Sequence, residues 1–309
     1  MPNASARLAV VGSINMDLVT RVSRLPRPGE TLAGRDLRQI PGGKGANQAV
    51  AAARLGAQTT LLGRVGNDGF GPQLLSALRA AGVTTDFVQT LDSCSSGVAL
   101  ISVDDSGQNC ITIISGANGR LLPADVEQDQ DAVAKAQVLL LQLEIPLESV
   151  AAALSIARRN QVLTVLDPAP VPPGPLPDAL FHVDVISPNQ TEAESLTGIP
   201  VVDLDTAERA ARQLLDRGAK SAVIKLGEQG ALWCDRSGCG HVPAARVAVV
   251  DTTAAGDAFT AALGVALAES QTLPVAVRFG CAAGTLATMT LGAQCSMPPR
   301  AAVDALVVG

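Results

Sequence analysis

The stretch Asp251-Thr252-Thr253-Ala254-Ala255-Gly256-Asp257-Ala258-Phe259 decides how the chain is read. Before it, Val247-Ala248-Val249-Val250 has the make-up of a buried strand; after it, Ala258, Ala262, Leu263, Ala266 and Leu267 recur at helical spacing. A strand-to-helix turn is therefore expected. Ala254, Ala255 and Gly256 have little or no side chain, so a ligand can approach the backbone and meet amides at a helix start, where anions bind. Asp257 stands beside that site, and an acid there is repelled by the anion unless it has work to do. Taking a proton from an attacking hydroxyl is such work, because phosphoryl transfer needs positioning, charge stabilisation and a carboxylate to orient the nucleophile. The plainer alternative is a helix cap worth ~0.3–1 kcal/mol. The turn alone leaves both open.

The whole chain narrows the choice. With 309 residues it is long enough for one large α/β domain with a small appendage and a sizeable core. Apolar residues make up 47% and charged residues 17%, and no uncharged apolar run reaches the ~18 residues a membrane span needs. Leu8 to Val11 is too short for the apolar region of a signal peptide, so a cytoplasmic location is expected. A balance of 23 Lys+Arg against 29 Asp+Glu, without a basic block, argues against nucleic acid and anionic membranes as partners. No Tyr and few other aromatics leave no stacking platform for single strands. Cys94, Cys110, Cys234, Cys239, Cys281 and Cys295 form no C-x-x-C pair, and idle thiols in a reducing compartment are expected. With only His182 and His241, a Ser-His-Asp triad or multi-histidine metal site is close to excluded.

Leu8-Ala9-Val10-Val11 reads as an inner strand ending in Gly12-Ser13-Ile14-Asn15-Met16-Asp17, which places Asn15 and Asp17 where open α/β sheets collect ligands. An ordinary polar turn is the alternative. Residues 18–40 turn to alternating patterns broken by Pro26, Pro28 and Gly29, a small β excursion of the kind that can cover a site. Next, Pro41-Gly42-Gly43-Lys44-Gly45-Ala46-Asn47-Gln48-Ala49 opens a helix that stops at Gly56. It lacks the Walker A pattern, yet paired glycines let the backbone bend against a small polar ligand, with Lys44 and Asn47 free to bond its hydroxyls. A strand at 59–63 and a helix at 71–81 follow, and the runs 97–103 and 109–114 are expected to form a hairpin joining the earlier excursion.

From Pro123 onward strand and helix alternate: helix 124–135, strand 137–141, helix 146–159, strand 162–166, strand 183–187, helix 205–217 and strand 221–225. Repeated βα units imply a parallel sheet with helices on both faces. Glu144, Asp167 and the run Asn189-Gln190-Thr191-Glu192 each follow an apolar segment and should share its carboxyl edge. Asn189 and Glu192, three apart at a helix start, either face a phosphate or Mg2+ or cap the helix. Lys225-Leu226-Gly227-Glu228-Gln229-Gly230 is a hairpin turn or a nucleotide-edge loop. A helix from Pro274 to Met289 precedes Gly292-Ala293-Gln294-Cys295-Ser296, and 304–309 carries no readable pattern.

Taken together, these motifs resemble the ribokinase-like family of carbohydrate kinases, over nearly the full length from Val10 to Gln294 and most specifically in Gly42 to Ala49, Asn189 to Glu192 and Asp251 to Asp257. The resemblance implies a single α/β domain over 1–309, a central mostly parallel sheet flanked by helices, with a small β-sheet lid formed by about 15–41 and 94–116 that often makes a dimer interface. It implies ATP-dependent phosphorylation of the 5-hydroxyl of ribose, with Asp257 as base and Ala254, Ala255 and Gly256 as anion hole. Sugar contacts fall to Asn15, Asp17, Gly42, Gly43, Lys44, Asn47 and Glu144, and ATP contacts to Asn189, Lys225, Gly227, Glu228, Gly230, Gly256 and Cys281. Glu192 would act on Mg2+ and phosphates, and K+ would sit behind the anion hole among Asp251, Thr253, Ala287, Thr290, Gly292 and Ser296. Three positions depart from the family pattern: Ala254 replaces the commoner glycine, Gln190 stands where an acid is frequent, and Lys225, placed to reach a phosphate, replaces a smaller polar residue of some relatives. Rival readings are a kinase of this fold for deoxyribose, fructose or a nucleoside, and a sugar-sensing regulator without turnover. The scarcity of aromatics speaks against a nucleoside, and a sugar phosphate would call on Arg35 and Arg38.

Overall fold

The computed structural model describes residues 5–308. In chain order the strands are β1 (Arg7–Val11), β2 (Asn15–Arg21), β3 (Leu37–Gly42), β4 (Gln58–Gly66), β5 (Val83–Leu91), β6 (Gly97–Val103), β7 (Asn109–Ile114), β8 (Val138–Leu141), β9 (Leu163–Leu166), β10 (Val185–Ile186), β11 (Ser221–Lys225), β12 (Ala231–Asp235) and β13 (Gly238–Val242). Nine of them make one sheet in the order β13-β12-β11-β10-β9-β8-β1-β4-β5. It is parallel from β11 through β5, and β12 and β13 add an antiparallel edge. The other four form a small sheet, β3-β2-β6-β7, in which only β2 and β6 run parallel.

Alternation along the inner strands feeds two cores. Leu8, Val10, Val138 and Leu140 point to one face, and Ala9, Val11, Leu139 and Leu141 to the other. Both faces are covered by helices, which is why Val-Leu-Leu-Leu of β8 is buried throughout and shows no polar alternation. The helix Leu204–Asp216 covers one face with Ala207, Ala210, Ala211 and Leu214, and starts where the Asp203 carboxylate accepts the Thr206 amide at 2.8 Å. The helices Lys44–Arg54, Ala255–Ala268 and Leu273–Ala287 cover the other. Ala255–Ala268 is nearly all small and buried. A Cβ on its Gly264 would come within 2.6 Å of Leu140, so the helix lies directly on the sheet and its first turn ends at the carboxyl edge of β1 and β8.

Several expectations need correction. Val247 to Val250 is not a buried strand: the segment joins no sheet, Val249 and Val250 are each 61% exposed, and Val250 and Asp251 donate to the Thr288 carbonyl at 2.8 and 3.1 Å. Its apolar character serves a cavity wall, because Val247 and Val249 line the large cavity described below. The predicted helix 124–135 is two pieces, Pro123–Gln128 and Asp131–Ala134, parted at Asp129, whose side chain accepts from Gln89 at 3.1 Å. Cys234 and Cys239 are not idle thiols; they face each other across β12 and β13 and form a disulfide, while Cys94, Cys110, Cys281 and Cys295 stay free. The unreadable tail holds a helix, Arg300–Val308, tied down by Arg300 to Glu269 at 2.6 Å; Gly309, like residues 1–4, lies outside the described residues. No helix among the described residues is long and apolar enough to cross a membrane.

Candidate active site

Ala254 sits at φ 60°, ψ 10°, a left-handed conformation that turns the chain sharply into the helix Ala255–Ala268. The first-turn amides of a helix have no acceptor within it; here the Ala255 amide donates back to the Thr252 carbonyl at 3.3 Å, which leaves the amides of Gly256 and Asp257 for a ligand. Asp257 points inward instead, only 5% exposed, and accepts from Asn47 Nδ2 at 2.9 Å and Gln48 Nε2 at 3.2 Å. Burial lifts its pKa to about 6; nearby Asp167 and Glu144 push the same way, against Lys44 and the Asn47 hydrogen bond. A carboxylate whose pKa is lifted toward neutrality, beside a set of amides, is what proton abstraction next to an anion requires.

On one side of this turn lies a polar cradle built from the start of β2, the end of β3 and the helix Lys44–Arg54. A Cβ on Gly42 would stand 2.2 Å from Asp17 Oδ2 and displace that carboxylate, and one on Gly43 (φ 89°) would stand 2.7 Å from the Asn15 amide, so the helix start at Gly43 requires glycine. Glu144 accepts from the Lys44 amide at 3.1 Å and from the Ser13 hydroxyl. Asn15 Oδ1 accepts from Asn118 at 2.6 Å, whereas Asn47 Oδ1 is buried without a partner. An unsatisfied buried acceptor calls for a donor such as a sugar hydroxyl. Burial, Glu144 and Asp257 raise the Asp17 pKa to about 7. Burial disfavours the Lys44 ammonium, but Asp257, Asp167, Glu144 and Glu192 outweigh it and hold its pKa above the usual lysine value. Arg35 and Arg38 are remote from such duty: Arg35 pairs with Asp105 at 2.7 Å and Arg38 with Asp36 at 3.3 Å, all at the surface.

On the other side opens a cavity of about 1010 Å³. Lys225, Gly227, Glu228, Gly230, Gly256 and Cys281 all line it, with Val247, Val249 and Phe259 as apolar wall. That lining suits a flat base at one end and phosphates at the other. The Lys225 ammonium lies 3.6 Å from the point where a Cβ on Gly256 would be, and pairs with Asp167 Oδ1 at 2.8 Å. Burial raises the Cys281 thiol to about 12. Asn189 and Glu192 do not line the cavity; they satisfy each other as the capping box of the helix Gln190–Thr197, with Asn189 bridged to Lys225. Burial raises the Glu192 carboxyl against the pull of Lys225. Gln190 donates to the Val201 carbonyl at 3.1 Å, turned away from the cavity.

Behind the turn, two loops meet. Asp251 accepts from the Thr253 amide at 2.9 Å, the Thr253 hydroxyl at 2.7 Å and the Gly292 amide at 2.8 Å. Burial works against its charge, but the amides of Gly292 and Thr253 prevail and hold its pKa below the ordinary value. The Thr290 amide lies 3.4 Å from the Ala287 carbonyl, and the Ser296 hydroxyl donates to Ala293 at 2.7 Å. Sequence reasoning left out Gln48, Asn118 and Asp167 as site residues. Gln48 lies inside the quoted glycine-rich run and Asp167 at a strand end, so both carried a positional signal; Asn118, in a loop after β7, carried none.

A parallel sheet whose carboxyl edge holds a lifted carboxylate between a polar cradle and a large cavity has the arrangement that a phosphotransferase of the α/β class needs. Comparison with known proteins narrows this. The family model described as pfkB family carbohydrate kinase matches residues 5–300. A ribokinase of Haemophilus influenzae is 41% identical over 294 residues, covering 95% of each chain. A deoxyribokinase of Salmonella typhi is 38% identical over 291 residues, covering 94% of this chain and 95% of the relative. The structure of Arabidopsis thaliana ribokinase complexed with ribose and ATP superposes with a TM-score of 0.92 at 34% identity, covering 98% of this chain and 99% of that one. The chain belongs to the pfkB family of carbohydrate kinases.

Proposed function

We propose that the protein transfers the terminal phosphoryl group of ATP to the 5-hydroxyl of D-ribose, giving ribose 5-phosphate and ADP. The observation that carries the reading is the place of Asp257: buried, lifted to about 6, and set at the helix start that separates the polar cradle from the large cavity. Ribose lies in the cradle of Asn15, Asp17, Gly42, Gly43, Lys44, Asn47 and Glu144, where the unpartnered Asn47 Oδ1 takes a sugar O–H. Asp257 accepts the proton of the 5-hydroxyl as its oxygen attacks. Ala254, Ala255 and Gly256 turn their amides to the transferring group, Ala255 by giving up the Thr252 carbonyl, and Lys225, held by Asp167 through one N–H, turns another to a phosphate oxygen. Likeness to ribokinases, one of them bound to ribose and ATP, supports the choice of sugar.

Two cations belong to the same reading. Mg2+, which spreads the charge of the phosphates, fits near Glu192, whose carboxylate is already held by Asn189 and so meets the metal through water or phosphate. K+ fits behind the anion hole, where the donor set is hard oxygen: an ionised Asp251, the Thr253 hydroxyl and the loop carbonyls at Ala287, Thr290, Gly292 and Ser296. The small sheet, with its flanks over 15–41 and 94–116, acts as a lid within a single domain. The small sheet exposes Leu100 on one face and Ile111 and Ile113 on the other, each at least 44% exposed, and through this apolar surface it meets a second copy in a homodimer. A cytoplasmic setting, where ATP is held, belongs to this reading too.

The Salmonella deoxyribokinase at 38% identity supports a second reading, deoxyribose as acceptor. A sugar panel with ATP and Mg2+, with and without K+, separates the two. Ribose should exceed deoxyribose and fructose in kcat/KM; equal or better deoxyribose turnover would remove ribose as the preferred acceptor.

A further inference from the structure

Between the sugar cradle and the nucleotide cavity runs a closed chain of hydrogen bonds. Gln48 is wholly buried, and its Nε2 donates both to Asp257 Oδ1 at 3.2 Å and to Asp167 Oδ2 at 3.1 Å. Its Oε1 accepts from Gln142 Nε2, which fixes the orientation of the amide. Asp167, 1% exposed, accepts in addition from Thr260 at 3.4 Å and pairs with the Lys225 ammonium at 2.8 Å. Two buried carboxylates thus share one amide nitrogen, and only one of them meets the cradle. Without that nitrogen the two would repel across an apolar interior, where charges interact strongly.

We propose that Gln48 and Asp167 are positioning residues for the transfer: Gln48 fixes the Asp257 carboxylate toward the acceptor hydroxyl, and Asp167, through Gln48 and Lys225, sets the base and the phosphate-binding ammonium in one frame. The inference rests on the assignment of Asp257 as base. Neither residue reaches the reacting atoms, so each acts through another side chain. The charged groups facing Asp257 are Lys44 from the helix Lys44–Arg54, Asp17 from β2, Glu144 after β8 and Asp167 after β9, with Lys225 of β11 beyond Asp167. Of these, Asp167 is the one that Gln48 links to it by a shared donor. The two substitutions therefore act with opposite sign. Gln48→Met removes a donor from Asp257 and unscreens Asp167, which favours the protonated base. Asp167→Asn removes a negative neighbour and frees Lys225, which favours the ionised base.

The test is a kcat–pH profile of the full-length enzyme with ribose, ATP and Mg2+ for wild type, Gln48→Met, Asp167→Asn and Asp257→Asn, with thermal unfolding and ribose binding of each variant. Gln48→Met should lower kcat by roughly ten- to a hundredfold, the worth of a hydrogen bond to a charged group, with ribose KM nearly unchanged and the acid limb moved to higher pH. Asp167→Asn, close in shape, should move the limb to lower pH and raise the KM for ATP. Acid limbs that coincide with wild type, or that move together, overturn the proposal if Asp257→Asn is inactive. An active Asp257→Asn overturns the base assignment itself. Should Gln48→Met fail to fold, the direction of the Asp167→Asn limb decides alone.

Discussion

Asn47 donates its side-chain amide to Asp257 at 2.9 Å across 210 residues of sequence. The first turn of the helix Lys44–Arg54 is thereby bonded to the first turn of Ala255–Ala268. On the proposed reading, the residue assigned to hold the acceptor and the one assigned to deprotonate it are thus neighbours before any ligand arrives, which would leave little of the reactive geometry to be paid in entropy during turnover.

Replacing the base tests this first. Asp257→Asn keeps size and polarity but cannot accept the proton, so kcat should fall roughly a hundred- to ten-thousandfold while ribose affinity changes little. Steady-state kinetics beside calorimetric ribose binding would show the split; near-normal turnover would refute the assignment.

The pH profile has a sign fixed by burial. Asp257 works as the ionised form, and its pKa lies at about 6, so kcat should be level above neutrality and decline as pH falls through about 6. An acid limb near the ordinary carboxylate value of 3.8 would mean that bound ligands cancel the burial effect.

Stability should run the other way in the same window. Asp17 and Asp257 have folded pKa values of about 7 and about 6, above the 3.8 they have when unfolded. Between those limits the folded chain holds protons that the unfolded chain has lost, so these two groups destabilise the fold as pH rises from about 4 to about 7. Asp17→Asn removes the larger contribution. Denaturant unfolding of the ligand-free protein should show the variant gaining on wild type as pH rises from 4 to 8, most of it by about 7. A constant difference across that range would contradict the shift.

Lys225 gives one N–H to Asp167 and has others to offer a phosphate. Lys225→Met should therefore raise the KM for ATP by roughly tenfold or more, leaving ribose KM nearly unchanged. An unchanged KM for ATP would place the ammonium in the structure of the apo site alone.

Ala254 adopts a left-handed conformation that costs an alanine ~1–2 kcal/mol, of which a glycine would return part as unfolded-chain entropy. Ala254→Gly should raise stability by about 1 kcal/mol, read as a higher midpoint in denaturant. A lower midpoint would show that the methyl group packs to more effect than its backbone costs.

Much of this was legible in the sequence. The βα alternation after Pro123 and the hairpin at 97–103 and 109–114 reproduce the observed strands because burial on both faces and turn chemistry leave local traces. The turn at Asp257 and the run Gly42 to Ala49 announced themselves through small residues beside isolated polar ones. What failed had no local signature. Val247 to Val250 has the composition of a strand but lines a cavity, and composition does not reveal which surface an apolar side chain will face. Gln48 and Asp167 had telling positions but unreadable partners: Gln48 bonds Asp257 across 209 residues and Asp167 across 119, and such pairings exist only once the sheet is assembled. The Cys234–Cys239 link follows from the register of β12 on β13, which spacing alone does not supply.

The small sheet contributes Asn15, Asp17 and Gly42 to the cradle, while Asp257 and its amides ride on a helix seated on the large sheet. On the proposed reading, two short strands carry part of acceptor recognition, while Lys44 and Asn47 on a helix of the large sheet carry another part, and Asn47 is bonded to the base itself. Drift in the strands can therefore begin to retune which alcohol is accepted, whereas a change at Asn47 reaches the machinery that acts on it.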